Sequence, residues 1–258
     1  MRILFLANNW VGWRIGRWLR EQGEDIVGLV VHPPGKRKYG EEIMKSAGLA
    51  EPFVFDGTDL ERPRTLAAIR ALGADIGVSA LFGYILRPEI LKLMPAGCVN
   101  IHPGLLPDNR GACPNVWNIV EGTPAGATLH YMDAGVDTGD VISQLEVPVT
   151  PLDTGESLYR KLEQACVDLF KETWPLVRSG KPPRVAQDKE AGATHRTSDV
   201  KKIDEIKLDR RYTARELINV LRARTFSPYP GAFIVHEGRN IYLRIQLQYA
   251  EDLGKTED

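Results

Sequence analysis

The sequence predicts an α/β fold in which a mostly parallel sheet is covered by helices on both faces. Short apolar runs suited to buried strands alternate with segments whose apolar residues recur at helical spacing, from residue 2 to residue 179. Beyond residue 186 the chain is polar, and it then predicts only one helix and one hairpin. We therefore expect a Rossmann-like domain over residues 1–186 and a small α+β C-terminal subdomain over residues 187–258.

The strand–helix alternation begins with the first residues. Residues 2–7 (RILFLA) form an apolar run that predicts a buried strand, and residues 11–22 place apolar side chains at helical spacing. The pattern then repeats, and it predicts strands at residues 26–31, 52–55 and 76–80 and helices at residues 39–47 and 60–72. Because such alternation is typical of parallel sheets, these strands should be neighbours.

The next predicted strand leads into a candidate site. After a short helix at residues 88–94, the strand at residues 98–101 ends at His102. Residues 103–114 are rich in Pro, Gly, Asp and Asn, which predicts a loop, and a helix follows at residues 115–121. Open α/β sheets place their sites beyond the carboxyl ends of strands, and His102 lies at such an end.

Two further strands and a long helix complete the first domain. The strands are predicted at residues 125–132 and 141–149, on either side of the turn-rich sequence DAGVDTGD. Asp153 and Glu156 have the spacing of a capping box, and they precede a long amphipathic helix at residues 157–179.

The C-terminal subdomain contains the last two predicted elements. Thr213 and Glu216 repeat the capping-box spacing at the start of a helix that ends near residue 223. Residues 233–235 and 241–247 predict the two strands of a hairpin. This region is small for an independently stable domain, so we expect it to pack against the first one.

Composition limits the classes of partner. Lys and Arg number 33 against 34 Asp and Glu, and the net charge of −1 lacks the basic surplus that nucleic-acid binding usually requires. No stretch is long and apolar enough to cross a bilayer, and the N-terminus does not resemble a signal peptide. The three cysteines, at positions 98, 113 and 166, form no CxxC pair, which favours reduced thiols in a cytoplasm over disulfides or zinc.

Polar side chains near the ends of two strands form a candidate catalytic group. Asn100 and His102 lie two residues apart, so both side chains face the same side of their strand. Asp133, Asp137 and Asp140 lie in one later loop, from which a carboxylate could orient the imidazole. A base, an amide donor and an orienting acid are thus available. Structural explanations remain open and are more common, because histidines pack in cores, Asn caps backbone groups and Asp-Gly loops form turns.

Two sequence blocks in this region occur in a fixed order. The first is NIHPGLLP at residues 100–107, followed by Arg-Gly at residues 110–111, and the second is GVDTGD at residues 135–140. Together they resemble the signature of folate-dependent formyltransferases over about residues 1–180. The resemblance implies that the first domain is catalytic, with Asn100, His102 and Asp137 at its centre. Gly104 departs from the pattern, because this family often has Ser there.

The resemblance also implies a co-substrate, 10-formyltetrahydrofolate, and no metal. Folate binding in this family relies on backbone groups and apolar walls. By position, the corresponding residues here are Phe82, Gly83, Tyr84, Ile85, Leu86, Asp133, Gly135 and Asp137. For the aromatic and aliphatic side chains of this set, packing in the core is an equally good explanation of each one taken singly.

A longer set of segments resembles the sugar N-formyltransferases within this family. The segments are DNRG (108–111), PNVW (114–117), EGTPAG (121–126), HY (130–131), RART (222–225) and PYPG (228–231). The resemblance implies transfer to a nucleotide-linked amino sugar, such as a dTDP-linked 4-amino-4,6-dideoxy sugar for O-antigen biosynthesis, by a cytoplasmic homodimer. The candidate substrate-binding residues are Asn8, Trp10, Lys36, Arg37, Lys38, Pro103, Gly104, Arg110, Arg224 and Tyr229. For the cationic run at 36–38, a solvated surface is the more common explanation.

Three alternatives remain open from the sequence. Methionyl-tRNA formyltransferase shares the catalytic signature, but its appended domain is a full barrel and the chain lacks a basic surplus to hold tRNA phosphates. Glycinamide ribonucleotide formyltransferase is disfavoured because the first turn, ANNWVG at residues 7–12, is not a Gly/Ser-rich phosphate loop. A non-catalytic folate or sugar-nucleotide binder on the same fold is the third, because fold alone does not define function.

Overall fold

The elements of the computed structural model follow the predicted order. The structure describes residues 1–188 and 190–252, so residue 189 and the end of the predicted C-terminal subdomain lie outside the described residues. The strands are β1 (Arg2–Ala7), β2 (Asp25–Val31), β3 (Val54–Asp56), β4 (Ile76–Ala80), β5 (Cys98–His102), β6 (Arg110–Gly111), β7 (Ala125–Tyr131), β8 (Val141–Val147), β9 (Thr194–His195), β10 (Ala232–His236) and β11 (Arg239–Leu243). The helices are α1 (Asn9–Glu21), α2 (Gly40–Ala47), α3 (Pro63–Ala71), α4 (Pro88–Leu91), α5 (Pro114–Glu121), α6 (Gly155–Arg178), α7 (Thr197–Asp204) and α8 (Ala214–Ala223).

Seven of these strands form one sheet in the order β3-β2-β1-β4-β5-β7-β8. The first five are parallel, whereas β7 runs antiparallel to β5 and β8 antiparallel to β7. The predicted mostly parallel sheet is therefore confirmed. The chain winds outward in one direction through β2 and β3 and in the other through β4 and β5. The carboxyl ends of β1 and β4 consequently flank a switch point, where such sheets form a crevice.

The two faces of the sheet bury separate apolar cores. In β1, Ile3 and Phe5 face the core beneath α1, α2, α5 and α6, whereas Leu4 and Leu6 face the core beneath α3 and α4. This alternation follows from the two-residue period of a strand. A strand buried on both faces must be apolar at its buried positions, which is why residues 3–7 predict it from sequence, while Arg2 at its start is exposed. Helices on both faces are confirmed.

Two local predictions are corrected. The long helix α6 is capped by Thr154, whose side chain accepts from the Ser157 backbone while the Ser157 hydroxyl accepts from the Thr154 backbone. Asp153, the predicted capping residue, instead accepts from the Ser157 hydroxyl and from Thr150. The polar stretch after residue 186 also contains the unpredicted helix α7, which buries only Val200 and so shows little apolar periodicity.

The C-terminal elements pack onto the main domain, as expected for a part of this size. Helix α8 contacts α5 and α6, and its capping box at Thr213 and Glu216 is confirmed. The predicted hairpin is formed by β10 and β11. No helix within the described ranges is both long and apolar enough to span a membrane.

Candidate active site

A cavity of about 820 Å³ opens at the carboxyl ends of β1, β4 and β5. Its volume lies in the range of small-molecule sites. Residues Asn100–His102 form part of its floor, and Asn9 and Phe82 line it from the connections after β1 and β4. Part of the wall comes from the C-terminal elements, through Lys201 of α7 and the loop around Tyr229. The cavity therefore lies between the sheet edge and the C-terminal part of the chain.

Asn100, His102 and Asp137 meet at the base of this cavity. The Asn100 amide donates to Asp137 Oδ1 at 3.4 Å, and His102 Nδ1 lies 3.4 Å from Asp137 Oδ2. The His102 Nε2–H donates to the Asn109 carbonyl at 3.1 Å. Because that bond uses the single proton of the neutral imidazole, Nδ1 presents a lone pair at the carboxylate. The site thus holds a proton-accepting nitrogen beside an anion that would stabilise its protonated form.

His130 joins the same cluster and was absent from the predicted site. The strand register places it opposite Asn100, on β7. Its Nδ1–H donates to the Tyr131 carbonyl at 2.8 Å, which leaves Nε2 to accept from the Asn100 amide at 3.1 Å. The same Nε2 lies 3.4 Å from Asp137 Oδ1. His130 therefore orients the Asn100 amide.

The protonation states follow from burial and charge. Burial by itself would raise the pKa of Asp137, but His102, His130 and the Gly111 N–H favour the carboxylate and hold that pKa well below its ordinary value. Burial lowers the pKa of His102 below its ordinary value of 6.5, against the opposing attraction of Asp137. A carboxylate anion and a neutral imidazole consequently coexist at neutral pH.

The backbone around the cavity is unusual. Within the described ranges seven residues other than glycine have positive φ, and five of them line the cavity: Asn9, Tyr39, Leu81, Cys113 and Asp137. Left-handed backbone is costly for residues with a Cβ and tends to cluster at functional sites. Asp137, at φ 54°, is held there by the Gly111 N–H, which donates to its Oδ2 at 2.9 Å.

The surroundings of residue 104 account for glycine at this position, where the family often has Ser. A Cβ at this position would lie 2.6 Å from His102 Nε2, which is closer than van der Waals contact allows. Glycine therefore leaves room for the present orientation of the His102 ring.

The residues predicted to bind folate are divided by the structure. Phe82, Gly83 and Asp137 line the cavity. Leu86 is buried in the core beneath α3 and α4, and Tyr84 packs against that core. The remaining three, Ile85, Asp133 and Gly135, lie outside the cavity lining. Asp133 instead accepts from the Gly135 backbone and the Thr138 hydroxyl, so it shapes the turn of the Asp137 loop.

The predicted substrate residues are divided in the same way. Lys38, Pro103, Arg224 and Tyr229 line the cavity, and the Lys38 ammonium donates to the Tyr229 hydroxyl at 2.9 Å. The others, Asn8, Trp10, Lys36, Arg37, Gly104 and Arg110, lie outside its lining. Arg37 donates to the His32 carbonyl, and Asn8 accepts from the Lys38 backbone, so both order the cavity rim. Arg110 is buried and donates to Gln187, Asp188 and Ala191.

Cavity residues from distant elements gave no signal in the sequence. Tyr159 of α6 lines the cavity and accepts from the Asn9 amide at 2.5 Å, across 150 positions of sequence. Tyr39 and Phe226 add flat apolar walls.

Across residues 1–188 and 190–252, no group of three or more His, Cys, Asp or Glu side chains has a metal-binding arrangement.

Two family models and a curated relative match this chain. A formyl transferase family model matches residues 2–173, and a model described as the N-formyltransferase dimerization C-terminal domain matches residues 199–249. Methionyl-tRNA formyltransferase of Symbiobacterium thermophilum is 35% identical over 239 residues, which cover 90% of this chain and 72% of that protein.

Two solved structures of formyltransferases are also similar. A 4-N formyltransferase from Francisella tularensis is 27% identical with a TM-score of 0.79, covering 96% of this chain and 98% of that one. A sugar N-formyltransferase from a Shewanella species is 26% identical with a TM-score of 0.82, covering 97% and 99% of the two chains.

The fold and the strand-end cavity define an α/β enzyme whose site combines an amide donor, a neutral imidazole and a carboxylate. The family match specifies it further: the chain belongs to the formyl transferase family. It is a folate-dependent formyltransferase, and the family uses formyl-tetrahydrofolate as its formyl donor.

Proposed function

We propose that this enzyme transfers the formyl group of 10-formyltetrahydrofolate to the amine of a nucleotide-linked amino sugar, with a 4-amino-4,6-dideoxy sugar as the preferred class. The observation that carries the proposal is the composition of the cavity. Its catalytic floor belongs to the sheet, and its opposite wall is formed by α7, by Arg224 just after α8 and by the loop around Tyr229, which fall almost entirely within the match to a dimerization domain.

Asn100 stabilises the developing charge in the proposed reaction. When the amine nitrogen bonds to the formyl carbon, the carbonyl electron pair moves onto oxygen, which becomes an acceptor for N–H donors. The 3.4 Å contact from Asn100 to Asp137 is long for a hydrogen bond, so the amide proton that points towards Asp137 is weakly engaged and available to this oxygen. The second amide proton stays on His130, which keeps the group in place.

His102 accepts and then donates a proton in the same proposed reaction. Its Nδ1 lone pair takes the proton that the attacking amine loses, and Asp137, 3.4 Å away, stabilises the resulting imidazolium. The folate nitrogen then leaves with the electron pair of the broken carbon–nitrogen bond and receives that proton. The product is a formamide, and His102 returns to its neutral form.

The acceptor end of the cavity suits a nucleotide sugar. Lys38 and Lys201 bring positive charge to the lining, where a diphosphate requires it, whereas the charge of Arg160 in the same lining is compensated by Glu163 at 2.9 Å. Arg224 also lines this region, but Asp204 accepts from its Nε at 2.5 Å and compensates its charge. Tyr229 offers a flat surface for a base or sugar ring.

A panel assay tests the proposal. The purified protein is incubated with 10-formyltetrahydrofolate and, separately, dTDP- and UDP-linked 4-amino and 3-amino sugars, methionyl-tRNA and glycinamide ribonucleotide. We expect tetrahydrofolate release with a nucleotide amino sugar, together with a mass gain of the sugar that equals one carbon and one oxygen atom, as replacement of an amine hydrogen by a formyl group requires. Folate binding without release under every condition would instead identify a non-catalytic binder.

Methionyl-tRNA formyltransferase remains the second candidate, because relatives at 31–35% identity carry that name. Against it, the C-terminal elements within the described residues are two helices and a two-stranded hairpin and do not close a barrel. Formylation of methionyl-tRNA in the panel, with no reaction of the sugars, would establish this second function.

We also propose that the enzyme is a homodimer that works in the cytoplasm. The hairpin strands expose Val235, Ile241 and Tyr242, and α8 exposes Ile218, within the segment that matches a dimerization domain. The three cysteines are unpaired thiols, as expected in a reducing compartment.

The dimer proposal predicts a change in mass. Light scattering should give twice the 28.8 kDa chain mass for the wild-type protein, and Ile241→Asp should give the monomer, because a buried unpaired carboxylate opposes association. Leu176→Asp, which changes an exposed apolar residue of α6 outside the matched segment, is the matched control. A monomeric wild-type protein at micromolar concentration contradicts the proposal.

A further inference from the structure

The segment that connects the two parts of the chain runs along both loops of the active site. We call residues 185–195, without residue 189, the connecting segment. It begins where Val185 pairs with Val141 at the start of β8, through backbone bonds of 2.8 and 3.0 Å. It ends where β9 pairs with β6. Between these points a Cβ on Gly192 would lie 2.0 Å from the Pro107 carbonyl oxygen, so the segment is in close contact with the 103–113 loop.

Gln187 of this segment forms two hydrogen bonds with the loop that carries Asp137. Its side-chain amide donates one hydrogen bond to the Asp137 carbonyl at 2.8 Å and another to the Gly139 carbonyl at 2.7 Å. Both amide protons are therefore used on one stretch of backbone. That stretch includes Asp137, whose backbone is left-handed. The two bonds from Gln187 therefore restrain the backbone at a residue that would otherwise relax to a less strained conformation.

Arg110 fixes the orientation of the Gln187 amide. Its Nε and one terminal nitrogen donate to Gln187 Oε1 at 3.1 and 3.0 Å, and its other bonds go to the Asp188 and Ala191 carbonyls. Because a guanidinium only donates, it holds the Gln187 oxygen towards itself and so turns the amide nitrogen towards the Asp137 loop.

The charge of Arg110 makes this arrangement unusual. The residue is 4% exposed, and among the ion pairs of the described residues none involves it. Burying a guanidinium against neutral acceptors alone is costly, so an ordinary packing role does not account for it. Arg110 is a predicted substrate-binding residue, but its side chain bonds to the connecting segment.

The backbone next to Arg110 completes the restraint. Gly111 N–H donates to the Asp137 carboxylate at 2.9 Å, while the Arg110 N–H donates to the Ala193 carbonyl at 3.0 Å. The Asp137 side chain is thus held by β6, and its backbone is held by Gln187, which Arg110 orients. We propose that Arg110 and Gln187 are positioning residues that keep the Asp137 carboxylate within reach of His102 and Asn100. This inference rests on the catalytic role of Asp137 in the proposed function.

The test begins with Gln187→Met, which keeps the side-chain length and removes both donors. We expect kcat to fall about 10- to 100-fold, the cost of a misplaced catalytic group, while KM for 10-formyltetrahydrofolate changes less than about twofold. Thermal unfolding and circular dichroism establish that the variant is folded. Gln164→Met, which changes an exposed glutamine bonded to Asp168, is the matched control and should retain wild-type kcat.

Gln187→Glu separates positioning from simple anchoring. The carboxylate keeps an acceptor for Arg110 but cannot donate to the Asp137 and Gly139 carbonyls. If the residue only anchors the connecting segment, Gln187→Glu restores kcat. If it positions Asp137, this variant is as slow as Gln187→Met. Wild-type kcat in both folded variants, or rescue by Gln187→Glu, overturns the inference.

A readout without turnover distinguishes failure of this inference from failure of the proposed function. If the wild-type protein formylates no acceptor in the panel, the proposed function fails. The variants are then compared by the ¹⁵N chemical shifts of the His102 imidazole, which is faced by Asp137 and His130 as its titratable neighbours. Unchanged shifts in both folded Gln187 variants would show that Asp137 stays in place without the amide.

Discussion

Asn100→Ala should lower kcat by about 10²–10³, because it removes the donor for the oxygen that gains negative charge. The substitution also removes the two contacts that the amide makes in the resting enzyme, with His130 at 3.1 Å and Asp137 at 3.4 Å. Neither partner is left without other bonds, so the fold should persist. Single-turnover release of tetrahydrofolate measures the chemical step directly.

Two comparisons make the Asn100 result specific. Asn240→Ala, on the exposed face of β11, is the same chemical change away from the cavity and should retain wild-type kcat. KM for 10-formyltetrahydrofolate should change little in Asn100→Ala, because the donor acts mainly in the transition state. A folded Asn100→Ala variant with unimpaired turnover contradicts the proposed role.

Asp137→Asn should lower kcat by about 10²–10⁴, the range associated with proton transfer. An amide keeps the shape of the side chain but cannot stabilise the imidazolium that forms when His102 accepts a proton. Asp140→Asn is the matched control in the same loop, since Asp140 is half-exposed and lies 3.5 Å from Arg184 rather than in the cavity. Equal losses in the two variants would show that loop structure, not the Asp137 charge, is responsible.

The pH dependence of kcat/KM in Asp137→Asn is a second, independent test of this arrangement. Burial lowers the pKa of His102 below 6.5, so the wild-type enzyme should lose activity only when the pH falls below that value and the base becomes protonated. The Asp137 carboxylate attracts the imidazolium and so raises this pKa. Removing the charge lowers the pKa further, and the acid limb of kcat/KM should move to lower pH. A shift to higher pH contradicts the arrangement.

Much of the fold could be predicted from local patterns. In the strand RILFLA the five residues after the exposed Arg2 are apolar because both faces of the strand are buried there, and no register information is needed to see this. Helix α7 could not be predicted in this way, because a single buried residue produces no periodicity. The division of the chain at residue 186 stays a prediction.

The candidate site, like the fold, could be predicted only in part from the sequence. Asn100 and His102 share a face because they are two residues apart on β5, and their link to Asp137 came from a family resemblance. The family resemblance grouped Tyr84 and Leu86 with the folate site. Their side chains pack in or against the core beneath α3 and α4, and a part for their backbone in folate binding stays a prediction.

By itself the sequence determined the alternation of strands and helices, the strand end that carries His102, and the family of the enzyme. Only the tertiary structure decided that His130 faces Asn100, that Gln187 holds the Asp137 loop, and that the C-terminal elements form one wall of the cavity. The reason is physical. The face that a side chain occupies follows from the spacing of its neighbours, whereas contacts between distant segments depend on strand register and helix packing, which local spacing does not encode.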